Sequence, residues 1–323
     1  MRKNIIEFLK SNKNSFISGA QIANKLGVSR AAVWKHIQEL RKAGYKILSS
    51  EHNGYMLQEV PDLLMPDEVQ TNLKTEIIGK AISYHITTDS TNRIAKELAN
   101  DGAVDGTLVI AEEQTGGKGR LGRSFFSPKY KSILMSIILK PNFLPHEAPK
   151  CTLMTAVAVA NAMIRFDLQP AIKWPNDLLY DGRKIVGILT EISAEMSRIN
   201  YIVIGIGINV NISRDEFPED IRDIAASLSE VKGEKISRID FLRALLEEFD
   251  KLYIEVNQNG FEEILNQWRK YNITLGKKIR VIPAGSDEEF SAIAEDIDSE
   301  GALIVKTDIG FEKVYAGDVS IRE

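Results

Sequence analysis

The chain has 323 residues, 44% of them hydrophobic, which allows two or three globular domains. Its single cysteine, Cys151, excludes an internal disulfide and a cysteine-built metal site, and makes a reducing cytoplasm the expected location. Charge is unevenly spread: residues 1–60 carry 10 Lys and Arg against 4 Asp and Glu, a net of +6, so with a total of −4 the remaining 263 residues sum to −10. A basic head on an acidic body suggests that the head alone meets a polyanion. No apolar run approaches membrane-spanning length, and Met1–Glu7 lacks the apolar core of a signal peptide, so no membrane partner is expected.

The head reads as three helices and a hairpin. Ile5, Ile6, Phe8 and Leu9 mark a short amphipathic helix. Ser18 is positioned to cap Gly19–Leu26, which Gly27 can end, and Ser29 to cap 30–43. Val33, Ile37 and Leu40 form the inward stripe of that third helix, leaving Arg30, Trp34, Lys35, Gln38 and Arg41 outside. Two short helices joined by Gly-Val-Ser make a helix-turn-helix whose second helix would enter the major groove through Ser29, Arg30, Ala31, Trp34, Lys35 and Gln38. Asn53-Gly54 between two short strands adds a wing. A charged helical interaction module is the alternative. Pro61–Pro66 reads as a linker, and 67–79 as a short helix and turn capped by Asp67.

In the body, a strand at Ser83–Thr87 leads to Asp89-Ser90-Thr91-Asn92 and an amphipathic helix. One N-cap needs one oxygen, so the surplus hydroxyl and amide are available to a polar ligand. After the apolar run Thr107–Ala111 comes a loop with four glycines and three cations in the eight residues Gly116–Arg123. Fixed cations and mobile backbone N–H groups suit phosphate; a solvated surface loop is the bland reading. The loop also satisfies G-x-G-x-x-G, but the apolar stretch Ser132–Leu139 that follows reads as a strand, not as the helix of a dinucleotide fold.

Ala148–Arg165 reads as a buried helix. Lys173-Trp174-Pro175-Asn176-Asp177 is a costly sequence for a structural loop. A turn at Asp181-Gly182 leads to a strand beginning near Lys184, which either snorkels at a sheet edge or meets an anion. Gly205 and Gly207 interrupt the next strand, as at a bulge or a close approach. Two amphipathic helices follow Ile239. The last 50 residues alternate in period 2, with turns at Ala284–Asp287, Asp298–Gly301 and Asp308–Gly310: a small antiparallel, barrel-like module.

These motifs, in this order behind a winged-helix head, resemble the bifunctional biotin protein ligases that also act as biotin operon repressors, over essentially the whole chain. They are Asp89–Asn92, Gln114 with Gly117–Arg123, Lys173–Asp177, Lys184 with Gly187-Ile188-Leu189, and Gly205–Asn209. The chain departs from the pattern at Lys118, where arginine is usual, and at Phe125, where tryptophan is common. The resemblance implies an α+β protein: a winged helix-turn-helix (1–62), a mixed-sheet α/β ligase domain of class II synthetase-like build (66–271) and an SH3-like β-barrel (272–323).

It further implies that biotin and ATP give biotinyl-5′-AMP and that a lysine of a biotin carboxyl carrier protein takes the biotin. Ser90, Thr91, Asn92, Gln114, Lys118, Gly119, Arg120 and Lys184 would hold biotin, and Arg123, Phe125, Asp177 and Asn209 the nucleotide. Lys184, Arg120, Lys118 and Asp177 would be the catalytic set. Mg²⁺ would arrive with ATP, with Asp177 as the residue it could meet, in the absence of a protein-only metal cage. A carboxylate is already ionised at neutral pH, so the chemistry calls for cations and orientation rather than a strong base. Biotinyl-AMP would favour a homodimer on operator DNA, pairing edge strands that include Lys184–Ile192, on the surface that also receives the carrier. The rivals are a non-catalytic biotin-sensing regulator and a lipoate or octanoate ligase.

Overall fold

The computed structural model describes residues 2–42, 44–50, 52–60, 62–283, 289–315 and 317–321. The chain divides into two compact units, Met1–Leu73 and Lys74–Glu323.

In the first unit, helices α1 (Arg2–Ser11), α2 (Gly19–Leu26) and α3 (Arg30–Lys42) precede the hairpin β1 (Lys46–Ser50) and β2 (Gly54–Glu59) and a short α4 (Pro66–Gln70). Ser18 and Gln21 close a capping box at the start of α2, and Gly27 ends it at φ 66°. Ser29 Oγ accepts from Ala32 N at 3.1 Å, starting α3 where the sequence predicts. Ile5, Ile22, Val33, Ile37, Leu40 and Leu57 close the core.

Two features of this unit differ from the sequence reading. The closing pair of the hairpin is Ser50 with Gly54, so the glycine opens β2 instead of lying inside a two-residue turn. Ile17 and Tyr55 exchange backbone hydrogen bonds of 2.8 Å across the same spot, and a Cβ on Gly54 would lie 2.1 Å from Ile17 O. The glycine therefore admits a third chain to the wing. Second, the stretch read as a linker contains Leu64 and Met65, both buried with Val69 in the first unit. Met65, not Asp67, precedes the helix, with Pro66 at its first position. Glu68, 1% exposed, accepts from Lys10 and from the Tyr45 hydroxyl.

The second unit is built on a seven-stranded mixed sheet in the order β3-β4-β5-β9-β8-β7-β6. Its strands are β3 (Ile82–His85), β4 (Thr107–Ala111), β5 (Ser132–Leu139), β6 (Ile172–Lys173), β7 (Asp177–Tyr180), β8 (Arg183–Glu195) and β9 (Arg198–Asn209). Among the described residues, β3 and β4 are the only strands of this sheet that pair in parallel. Helix α5 (Thr91–Asn100) lays Ala95 and Ala99 on Val109, Ile138 and Val203 of one face. Helix α6 (Lys150–Ile164) is buried along most of its length, as its nearly uniform apolarity predicts. Asp181 and Gly182, at φ 46° and 73°, turn β7 into β8. That pairing ends at Asp177↔Gly187, whereas β8 continues to Glu195 against β9.

Helices α7 (Leu228–Lys232), α8 (Arg238–Asn259) and α9 (Glu262–Tyr271) follow. Arg238, at the head of α8, forms a pair with Glu112 at 2.8 Å, both side chains fully buried, and donates to Ser132 O at 2.9 Å. It thereby ties the end of β4, where the glycine loop departs, to β5.

The C-terminal strands β10 (Lys278–Pro283), β11 (Phe290–Ile297), β12 (Leu303–Thr307), β13 (Gly310–Val314) and β14 (Gly317–Ile321) form an antiparallel sheet in the order β13-β12-β11-β10-β14. The expected turns at 298–301 and 308–310 are present; the one at 284–287 lies outside the described residues. This sheet is joined to Trp174: Trp174 N donates to Thr274 Oγ1 at 2.9 Å and Trp174 Nε1 to Gly301 O at 3.3 Å.

Candidate active site

The centre of the large sheet has a floor made nearly without side chains. Cross-strand register puts Gly187, Leu189 and Glu191 of β8, Gly205 and Gly207 of β9, and Ser136 of β5 on one face. A Cβ on Gly205 would lie 2.3 Å from Asn92 Oδ1, and one on Gly207 2.7 Å from Phe125 Cε1. These glycines are the close approaches suspected from sequence: one seats an amide, the other an aromatic ring. Above them opens a cavity of about 730 Å³. All twelve biotin and nucleotide residues predicted in this unit line it.

At one end is a polar network. Ser90 caps α5, its Oγ accepting from Arg93 N at 3.4 Å. Thr91 N and Oγ1 lie 2.7 and 3.0 Å from Gln114 Oε1. Ser136 Oγ lies 2.8 Å from Thr91 Oγ1 and 2.6 Å from Asn92 Oδ1. Asn92 Nδ2 donates to Glu191 Oε2 at 2.8 Å, and Glu191 Oε1 pairs with Lys96 at 2.8 Å. Burial pushes the Glu191 carboxyl up, but Lys96 and Asn92 outweigh it and hold it below the usual range. Asp89 belongs to a different set of contacts: Arg93 grips it at 2.6 Å and holds its carboxyl well below the usual range.

The glycine loop is a miniature hairpin. Phe125 N donates to Gly117 O at 3.0 Å, Gly119 N donates to Arg123 O at 2.7 Å, and a single 3-10 turn over Arg120–Gly122 joins the two sides. Lys118 bridges to Ser124 in this pairing. Arg120 Nη1 donates to Asn176 Oδ1 at 3.2 Å, linking the loop to the Lys173–Asp177 motif. Asn176 is itself held by Ile188 O at 2.9 Å.

Opposite the loop, Lys184 Nζ and Asp177 Oδ1 form a pair at 2.7 Å, partly open to solvent. Asn209, 4% exposed, donates to Ala226 O at 3.1 Å, while its Oδ1 is buried with no hydrogen-bond partner among the described residues. An acceptor left this way invites a ligand. The segment 224–226 is strapped to β8: Lys184 N donates to Ile224 O and Ala226 N to Lys184 O. With it come Phe217, Ile221 and Ala225, packed with Phe126 and Ile212 into an apolar wall, the Phe126 and Phe217 rings 6.0 Å apart. Sequence reasoning missed this wall and also Ser136 and Glu191. The wall residues carry no polar motif, and the serine and glutamate sit in ordinary strand alternation.

In the first unit, Ser29 just before α3 and Arg30, Ala31, Trp34 and Lys35 on it are exposed, Trp34 to 58%, and Gln38 is half-buried. Arg41 does not point outward as its position suggested. Its Nε and Nη2 donate to Ile47 O at 2.9 and 2.7 Å, bracing the hairpin against α3. Among the described residues, no group of three or more His, Cys, Asp or Glu is placed to hold a metal, and no helix is long and apolar enough to cross a membrane.

Three family models match in chain order: an HTH domain over residues 2–56, the Biotin/lipoate A/B protein ligase family over 84–209, and the Biotin protein ligase C terminal domain over 274–322. Fold and site thus define a ligase unit carrying a DNA-binding head and a small C-terminal domain. Over 322 residues the chain is 42% identical to the bifunctional ligase/repressor BirA of Bacillus subtilis, covering 99% of this chain and 98% of that protein. It is 30% identical to BirA of Escherichia coli, over 95% and 93%. The chain belongs to the family of bifunctional biotin ligase/repressors. Among solved structures, biotin protein ligase from Aquifex aeolicus, in complex with biotin and ATP, matches with a TM-score of 0.64 at 26% identity, covering 75% of this chain and 99% of that one.

Proposed function

We propose that this protein condenses biotin with ATP to biotinyl-5′-AMP and pyrophosphate, then transfers the biotinyl group to a lysine of a biotin carboxyl carrier protein. The observation that carries the reading is the convergence on one cavity of an uncharged polar pocket, a basic hairpin loop and the Lys184–Asp177 pair. Thr91, Asn92 and Gln114, with Ser90 beside them, suit the ureido ring, which offers donors and an acceptor. Lys118, Gly119 and Arg120 close over biotin and the acyl phosphate, and Arg123 faces the nucleotide phosphates. Phe125 and the apolar wall at Phe217 and Ala225 suit the adenine.

The first step brings a carboxylate up to a triphosphate, so it needs cations more than a base. Lys184 supplies one by exchanging Asp177 for the biotin carboxylate. Asp177, released, faces the incoming lysine amine in the second step. Mg²⁺ would come with ATP, where Asp177 and the unpartnered Asn209 Oδ1 fit its preference for oxygen, and would neutralise phosphate charge. The catalytic set is then Lys184, Arg120, Lys118 and Asp177.

The regulatory half uses residues 1–60 on operator DNA, with α3 in the major groove. A homodimer promoted by biotinyl-AMP would form along the outer part of β8, which runs beyond its last pairing with β7. Within this reading the ligase domain ends at 271 and the C-terminal domain spans 272–323, while the head, expected to end at 62, extends with α4 to Leu73. The middle one is class II synthetase-like, the last an SH3-like barrel, and the protein works in the cytoplasm.

Incubation with biotin, MgATP and an acceptor domain should yield biotinylated acceptor; none would leave a biotin-sensing regulator without catalysis. Competition between biotin and lipoate should favour biotin strongly, and parity would point to the lipoate branch of the fold.

A further inference from the structure

The connection between the two units is shorter than the sequence suggests, because each unit takes hold of it from its own side. On the head, α4 is fixed by burial of Leu64, Met65 and Val69, and by Glu68, which accepts from Lys10 of α1 and from the Tyr45 hydroxyl just ahead of the wing. A carboxylate this deep is tolerated only with such partners, so it commits α4 to the head. Thr71, buried behind the last turn, donates from Oγ1 to Asp67 O at 2.7 Å.

On the ligase unit, Asp250 of α8 is buried and accepts three consecutive backbone N–H groups, Glu76 at 2.7 Å, Ile77 at 2.9 Å and Ile78 at 2.8 Å. Three N–H bonds to one buried carboxylate make an anchor rather than a surface contact. Thr75, also buried, donates from Oγ1 to Ile78 O at 2.6 Å. Between Thr71 and Thr75 lie only Asn72, Leu73 and Lys74. Asn72 and Lys74 are exposed, and Asn72 has φ 61°, a left-handed conformation that asparagine tolerates. The hydrogen bonds of this stretch are long: Leu73 N to Gln70 O and Lys74 N to Glu247 Oε1, both 3.3 Å.

We propose that the hinge between head and ligase unit is confined to Asn72–Lys74, bounded by Glu68 on one side and Asp250 on the other, and that its shortness makes half-site spacing part of what the protein reads on DNA. The second clause rests on the operator reading of the head; the first does not. Three residues reach at most about 10 Å. A dimer whose heads are held on such short tethers engages both half-sites of one spacing only. A half-site moved by five base pairs shifts by roughly 17 Å and turns to the opposite face of the duplex. Had the proline-flanked stretch been the linker, each head would carry a tether several times longer and tolerate that change.

The test uses the full chain and two variants, each with six Gly and Ser residues inserted, one between Leu73 and Lys74, the other between Asp62 and Leu63. The DNA is a palindrome selected from random sequence by the wild type with biotin and MgATP, and the same palindrome lengthened by five base pairs at its centre. The wild type should lose about 100-fold or more on the lengthened site, the avidity of its second head. The 73/74 insertion triples the hinge, so it should bind the original site about fivefold more weakly and lose less than about tenfold on the longer one. The 62/63 insertion lies upstream of the docked α4 and should keep the wild-type ratio. Equal relaxation by both insertions, or none by the 73/74 insertion in a protein with wild-type circular dichroism, would overturn the proposal. Limited proteolysis of the wild type with a protease of broad specificity, read by mass spectrometry, tests the hinge without DNA. The first cut between the units should fall within 72–74, and a first cut within 61–66 would refute it. Selection that yields no palindrome would sink the operator reading, while the position of the cut still decides the hinge.

Discussion

A methyl group on Gly205 would sit 2.3 Å from Asn92 Oδ1, which makes that position informative about the pocket without threatening the sheet. In a strand the added Cβ costs the backbone nothing, so Gly205→Ala should leave the melting temperature within a few degrees. It should raise biotin KM by roughly 10- to 100-fold by evicting the Asn92 amide, a loss of one or two hydrogen bonds. Paired measurement of Tm and biotin KM checks it. Lys184 answers a different question. Lys184→Gln removes the cation facing the reacting carboxylate, and kcat for adenylate formation should fall by about 10²- to 10³-fold, the usual cost of losing one charge-stabilising group. The residues legible in the sequence were those that break local rules: surplus polar groups at a cap, cations among glycines, a lysine at a strand start. Ser136 and Glu191 break none, so only the register of β5, β8 and β9 reveals them.

At the scale of elements, the glycine loop is held at its root by Glu112 and Arg238, a fully buried pair. Removing one partner strands a charge. Arg238→Met should destabilise the second unit by roughly 3–5 kcal/mol, and the double change with Glu112→Gln by less; denaturant unfolding would measure both. The turn between β11 and β12 responds to acid. Burial raises the Asp298 carboxyl, but Lys313 and the N–H groups of Ala302 and Glu300 win and hold it below its ordinary value. A lowered folded pKa means that its stabilisation is present above about pH 4 and is lost as pH falls through the lowered value. Asp298→Asn should therefore narrow the stability gap between pH 6 and pH 3. Element positions were legible wherever caps and periodicity agreed, as at Ser18, Ser29 and Asp181-Gly182. They failed where tertiary contacts decide: prolines at 61 and 66 suggested a linker, while Leu64, Met65 and Glu68 are buried in the first unit.

For the whole molecule, charge and packing divide along the same line. The head carries the net positive charge, and it closes its own core around Ile22, Ile37 and Leu57. Removal of residues 1–73 should abolish operator binding while the remaining unit keeps a single cooperative unfolding transition; retained sequence-specific binding would refute the assignment of the head. Operator affinity of the full chain should also fall steeply with salt, as counterion release requires.

A core that closes on itself has an evolutionary consequence. The first 73 residues form one compact unit, so a deletion there removes that unit whole, whereas a cut within the seven-stranded sheet divides one. Gene regulation is the detachable half of this protein. Lineages that no longer need an operator read can shed it in one event.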